Sequence, residues 1–311
     1  MTFAFTEAEH RERIERARRT LRENGLDGAI CVMPEHMFYF GGYDAHTQFS
    51  EQALIFSAGS DEPTIVMRDA DVACATETSW VKDVRLYHFG AHRSESAAPL
   101  IAEVLREKAL LGKRVSLEFE TYALTGGFLE RIRAAIGTTE LVDGTRILGW
   151  LRVIKSPTEI AYIREAQKHN LAGVKAAYES LRPGITEIDW AGEIQHALHK
   201  SGSEYSAMPV FIWSGERTAL GHSMATPRVI QPNEPVMFCF AGVARRYHIS
   251  TYHSVHLGAP SARFQSLYDI AQESQVALVE GEGGRHGNHQ VSGSRHQVSY
   301  WLMRGPLTPD T

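Results

Sequence analysis

Between Gly221 and Gly258 the chain reads GHSMATPRVIQPNEPVMFCFAGVARRYHISTYHSVHLG, and four histidines, a cysteine and several hydroxyl side chains fall in this stretch. A loop histidine, His222, stands ahead of a turn and two long strands in hairpin register. Imidazole titrates near neutral pH without help from its surroundings, so His222 is the first candidate for moving a proton. The alternative is a loop histidine with no such role. Side chains alternate faces along a strand. On the second strand His248, Ser250, Tyr252, Ser254 and His256 therefore share one face. Tyr247, Ile249, Thr251, His253, Val255 and Leu257 share the other, more apolar one. The polar face either lines a pocket, with His248 and Tyr252 as substrate contacts, or is merely solvated. Cys239, inside an apolar Phe-Cys-Phe run, would be a nucleophile if a nearby histidine lowered its pKa. A lone cysteine in that setting reads rather as a small buried apolar residue.

Other motifs carry less. His286, His289 and His296 fall in a Gly-rich tail and read as chance composition rather than a metal site. Gly41-Gly42 and Gly126-Gly127 mark turns. Neither pair lies in a G-x-G-x-x-G or P-loop context, so no nucleotide site is expected. With 311 residues the chain has room for two domains. A net charge of -5 argues against a nucleic-acid partner, which wants a basic face. No apolar run approaches membrane-spanning length, and the opening MTFAFTEAEHRERIERARR carries no signal-peptide core. Cys31, Cys74 and Cys239 are scattered and form no C-x-x-C pair, which suits a reducing cytoplasm.

The elements that must position these residues read as two domains. Residues 6–24 form a charged amphipathic helix stopped by Asn24-Gly25. Short strands follow at GAICVM, QALIFS, PTIVM, VRLYHF and RVSLEF, with helices near 94–111 and 121–136, so residues 1–146 make an α/β layer domain. After a linker at 147–157, Ser156, Pro157 and Glu159 open a helix with a capping box. Its apolar side is expected to be Ile160, Ile163, Leu171, Val174, Tyr178 and Leu181. Arg182-Pro183-Gly184 breaks it, Thr186 caps the next helix to about Lys200, and strands close a second, α+β domain at 158–280. Residues 281–311 show no helix period and no strand alternation, and read as a frame-shifted or truncated end more than an evolved terminus.

The phrases RRTLRENGLDGAICVMPEHMFYFGGYD, LRVIKSPTEIAYIREA and the hairpin itself resemble the creatinase/prolidase, or pita-bread, family. The resemblance covers about residues 5–280 and is specific from 151 to 258. It implies a creatinase-type N-terminal α/β domain followed by the first half of a pita-bread domain. In metal-dependent members each hairpin strand carries an aspartate, eleven residues apart, that helps hold two metal ions. Those positions are Cys239 and Ser250 here, so no metal and no other cofactor is expected. The family's second half, with a further His and two glutamates, has no counterpart in this sequence. The apolar Phe238, Phe240, Val255 and Leu257 are then expected on an open sheet face.

FAGVARRYH and LEFETYALTGG are closer to ectoine hydrolase than to the peptidases. Yet creatinase has a glutamate where Tyr252 stands, and the family's usual arginine position is His253. The reading is a metal-independent hydrolase of a C–N bond in a small polar compound, with His222 as the catalytic group. By the resemblance it would be a homodimer. The alternative is an inactive remnant serving at most as an oligomerising scaffold.

Overall fold

The computed structural model describes residues 3–47, 49–88 and 96–285. They divide into two compact units on either side of Thr158 and Glu159. The tail histidines His286, His289 and His296 lie outside the described residues.

The first unit is built on a six-stranded mixed sheet. Its strands are β1 (Gly28–Cys31), β2 (Ala53–Ser57), β3 (Thr64–Arg68), β4 (Asp83–Tyr87), β5 (Arg114–Leu117) and β6 (Glu140–Asp143), in the order β4-β3-β2-β1-β5-β6. The helices are α1 (Glu7–Glu23), α2 (Pro34–Gly41), α3 (Val72–Thr78), α4 (Ala98–Glu107), α5 (Gly126–Ile136) and α6 (Thr145–Gly149). Thr6 caps α1 by accepting from the Glu9 amide, and Gly25 takes the left-handed backbone that follows it. Alternation along β2 sends Leu54 and Phe56 into a core with α1 and α2. It sends Ala53 and Ile55 into a second core with α4 and α5. Helices thus cover both faces of the sheet, which is why β1 is buried at every residue.

The second unit is a three-stranded antiparallel sheet under two helices. Its order is β7 (Phe211–Ser214), β8 (Pro235–Ala244), β9 (Tyr247–His256), with α7 (Pro157–Ser180) and α8 (Glu187–Lys200) before it and α9 (Ala262–Arg285) after it. Thr186 caps α8 by accepting from the Asp189 amide. Val236, Phe238, Phe240 and Val255 pack against Val174, Ala177, Trp190, Ile194 and Leu198. The Trp190 ring meets Phe238 edge-on at 5.2 Å, and its indole donates to the Ala177 carbonyl.

Four expectations need correction. Phe238, Phe240 and Val255 are buried and Leu257 partly so, because α7 and α8 cover that face of the hairpin. On α7 Val174 is buried and Ile160, Ile163 and Tyr178 are partly buried as expected, as is Leu181 just after it, but Leu171 is exposed and the other buried positions are Glu159, Ala166, His169, Asn170, Gly173 and Ala177. The helix lies so close to β8 that small residues are selected over large apolar ones. Gly126-Gly127 open α5 behind a Thr125 cap rather than forming a turn, and Gly41 ends α2 with Gly42 in left-handed backbone. Residues 281–285 belong to α9, so the helix runs past the expected boundary at 280.

The closest approach of backbone to a glycine is at Gly242. A Cβ there would lie 2.3 Å from the Ala166 carbonyl oxygen and 2.3 Å from the Asn170 amide nitrogen, both backbone atoms that cannot step aside. Gly242→Ala should therefore lower the unfolding free energy of the second unit by about 2–3 kcal/mol or more. Denaturant unfolding followed by hydrogen exchange checks this: β8, β9 and α7 should lose protection while the first unit keeps its own.

Candidate active site

The hairpin register decides which side chains meet. Phe211 pairs with Cys239 and Cys239 with Tyr252, so these three lie in one row across β7, β8 and β9 on the same face. Ser250 pairs with Ala241 and stands diagonal to Cys239 on that face. His248 and Ser254 flank the row, with Trp213 and Met237 beside Ser254. The polar face read from β9 is therefore real: His248, Ser250, Tyr252 and Ser254 are exposed, whereas Ile249, Thr251 and His253 are half-buried and Val255 is buried.

His222 reaches the same face through Phe211. Its ring packs edge-on to the Phe211 ring, 6.3 Å between centroids. The imidazole is exposed and its backbone is left-handed, with φ 56°. Tyr252 is 63% exposed and stands directly across the hairpin from Cys239. Burial pushes the Cys239 thiol above its ordinary range. Cys239 thus behaves as a small buried residue rather than an activated thiolate. His248 Nε2 accepts from the Ala207 amide at 3.2 Å, and its Nδ1 bonds the Arg246 carbonyl at 2.8 Å. Both ring nitrogens are engaged with backbone, which leaves Tyr252 freer than His248 to meet a ligand.

Beneath the loop that carries His222 lies a polar network not legible in the sequence. The fully buried Glu187 carboxylate accepts from the amide and hydroxyl of Ser214 at 3.0 and 2.6 Å. It also accepts from the amide and hydroxyl of Thr226 at 3.0 and 2.7 Å. One side chain thus pins the end of β7 to the returning segment before β8, with four bonds replacing the water the carboxylate has lost. Arg228 adds a bidentate pair with Glu234 at 2.6 and 2.7 Å. That pair packs against Gly215, where any Cβ would collide with both. In the sequence Glu187 reads only as an acidic residue in the first turn of a capped helix.

On the opposite face of β9, His253 stacks on Phe238 at 4.8 Å and shares a 2.9 Å hydrogen bond with the Tyr178 hydroxyl. Asn170 ties α7 to both hairpin strands by donating to the Ile249 and Phe240 carbonyls and accepting from the Thr251 hydroxyl.

Two family models match the chain. Residues 13–154 match the Creatinase/Prolidase N-terminal domain, and residues 161–283 match Metallopeptidase family M24. The chain belongs to the creatinase/prolidase family. An uncharacterized hydrolase/peptidase of Sinorhizobium fredii is 29% identical over 278 residues, covering 87% of this chain and 71% of that relative. The ectoine hydrolase of Halomonas elongata is 24% identical over 295 residues, covering 90% and 72%. Among solved structures, an Xaa-Pro dipeptidase from Bacillus anthracis superposes with a TM-score of 0.73 at 22% identity, over 86% of this chain and 70% of its own. In this creatinase/prolidase-family chain the two units seen in the fold correspond to the two matched domains. No helix among the described residues is long and apolar enough to cross a membrane.

Burial lowers the His253 pKa from 6.5 to about 4. The unfolded chain therefore binds this proton more readily than the folded one. The stability that neutral His253 contributes is present above pH 6.5 and is lost as the pH falls toward 4. His253→Phe keeps the stack on Phe238 and removes the titration. The fall in stability of the second unit between pH 7 and pH 5 should shrink in this variant, as read by chemical unfolding at the two pH values. His10, lowered to about 4 in the first unit by its own burial, should keep the pH dependence of that unit unchanged.

Proposed function

We propose that this family hydrolase cleaves a C–N bond of a small polar compound without a divalent-metal centre at the hairpin. The observation that carries the reading is the row Phe211–Cys239–Tyr252 with His222 packed on its Phe211 end. The metal that the M24 name implies would need anionic oxygen donors at this place. The residues present do not fit it: Cys239 is a buried thiol, and Ser250 offers a neutral hydroxyl. Among the described residues no group of three or more His, Cys, Asp and Glu side chains is placed to hold a metal ion.

In the proposed reaction His222 takes a proton from water as that water attacks the C–N carbon, and returns it to the leaving nitrogen. The Tyr252, Ser250 and Ser254 hydroxyls would orient the polar substrate. The ectoine hydrolase and the Xaa-Pro dipeptidases among the relatives both support a small polar substrate. By kinship the working form would be a homodimer in the cytoplasm. A second reading, an inactive scaffold, draws on the engagement of both His248 nitrogens with backbone, which removes one expected substrate contact.

The test is an assay of the purified full chain against ectoine, creatine and Xaa-Pro dipeptides, beside metal analysis after gel filtration. Slow hydrolysis is expected that survives chelation and falls by about 100-fold or more in His222→Ala. Close to two manganese or cobalt ions retained per chain would overturn the metal-independent reading. Absence of turnover on all three substrate types would favour the scaffold.

A further inference from the structure

We infer that Arg217 is a positioning residue for His222, clamping the loop that carries it. The inference rests on the reading of His222 as the proton-transfer group. A non-glycine residue keeps left-handed backbone only where its surroundings enforce it, and His222 does so in an exposed loop. The enforcement comes through the two residues that follow. Arg217 Nη2 donates to the Ser223 hydroxyl at 2.7 Å and to the Met224 carbonyl at 2.7 Å.

The guanidinium is itself anchored. Its Nε lies 3.3 Å from Oε1 of Glu187, a carboxylate with no solvent exposure, in an ion pair without hydrogen-bond geometry. Glu187 is fixed in turn by the four bonds from Ser214 and Thr226. One planar guanidinium thus connects a buried charge, by an ion pair at Nε, to the loop just after His222, by two hydrogen bonds from Nη2. Met224 also bridges Phe211, the residue whose ring the His222 ring touches. The two contacts together set where His222 stands relative to the row of Phe211, Cys239 and Tyr252. A lysine ammonium is a single point donor on a flexible stem and cannot reproduce the planar connection. Arg217 has no place among the groups assigned to substrate, so it would act through the loop alone.

The experiment uses the full-length chain labelled for histidine NMR, with the His222 ring signal assigned by its loss in His222→Gln. Hydrogen exchange is measured over residues 215–226 and over β8 and β9. In Arg217→Ala the His222 ring signal should shift, and the loop amides should exchange about tenfold faster while β8 and β9 stay protected. Arg217→Lys should restore only part of both effects. Ser223→Ala should shift the ring signal less than Arg217→Ala does. If Arg217→Ala does not fold, the lysine and Ser223→Ala variants decide, since each leaves Glu187 and its four bonds in place.

An unchanged ring signal and loop exchange in these variants would overturn the clamp. So would a loss of protection spread evenly over the second unit, because Arg217 would then be a general stabiliser. If the wild type hydrolyses a substrate, Arg217→Lys should lower kcat more than it raises KM, and the reverse would count against the clamp. If the wild type hydrolyses nothing, the catalytic reading falls while the NMR and exchange results still decide whether Arg217 positions His222.

Discussion

The second unit depends on how closely α7 approaches β8. Helix backbone and strand backbone come near enough that Gly242 has no room for a Cβ, and Gly173 faces Phe240 and Leu198 under the same restriction. At that distance a polar side chain from the helix can reach the sheet backbone, and Asn170 does so, bonding carbonyls on both hairpin strands. The approach thus lets one face of the hairpin be sealed by α7 and α8, with Phe238 and Phe240 at the centre of the packing. The β9 residues of the candidate site, His248, Ser250, Tyr252 and Ser254, are then left on the other face by simple alternation along the strand.

A second constraint is electrostatic. Glu187 begins α8, where the helix dipole favours a negative charge, yet it is wholly buried. A buried carboxylate is tolerated only when its oxygens are satisfied, and Ser214 and Thr226 do so from two different segments. The charge that would otherwise destabilise the unit therefore fixes the geometry of the loop between β7 and β8. The ring stacks follow the same frame: Phe211 lies flat on Trp213 at 5.6 Å and offers its edge to His222.

Family membership and site chemistry point in different directions here. The frame is that of the prolidases, with both matched domains present in order. The hairpin carries a thiol and hydroxyls where the metal-dependent relatives are expected to carry carboxylates. A fold sets where side chains can meet; which reaction they support is set by their identity.

Much was determined by the sequence alone. The cap at Thr186, the stop at Asn24-Gly25 and the two-residue period of β9 are local signals, and each reappears where expected. The kinship was likewise readable from the hairpin and the entry to α7. Other features had no local signal. MPEHMFYFGG hides α2 because its residues are buried all round, which erases the helical period. The buried side of α7 was read only in part, because large apolar residues are the usual sign of a core, whereas here close contact also demanded Ala166, Gly173 and Ala177. Glu187 and Arg217 look like ordinary charged residues in a string of letters. Their partners, Ser214, Thr226, Ser223 and Met224, are assembled only when β7, α8 and the returning loop pack together, and burial, which sequence does not display, decides that their bonds matter.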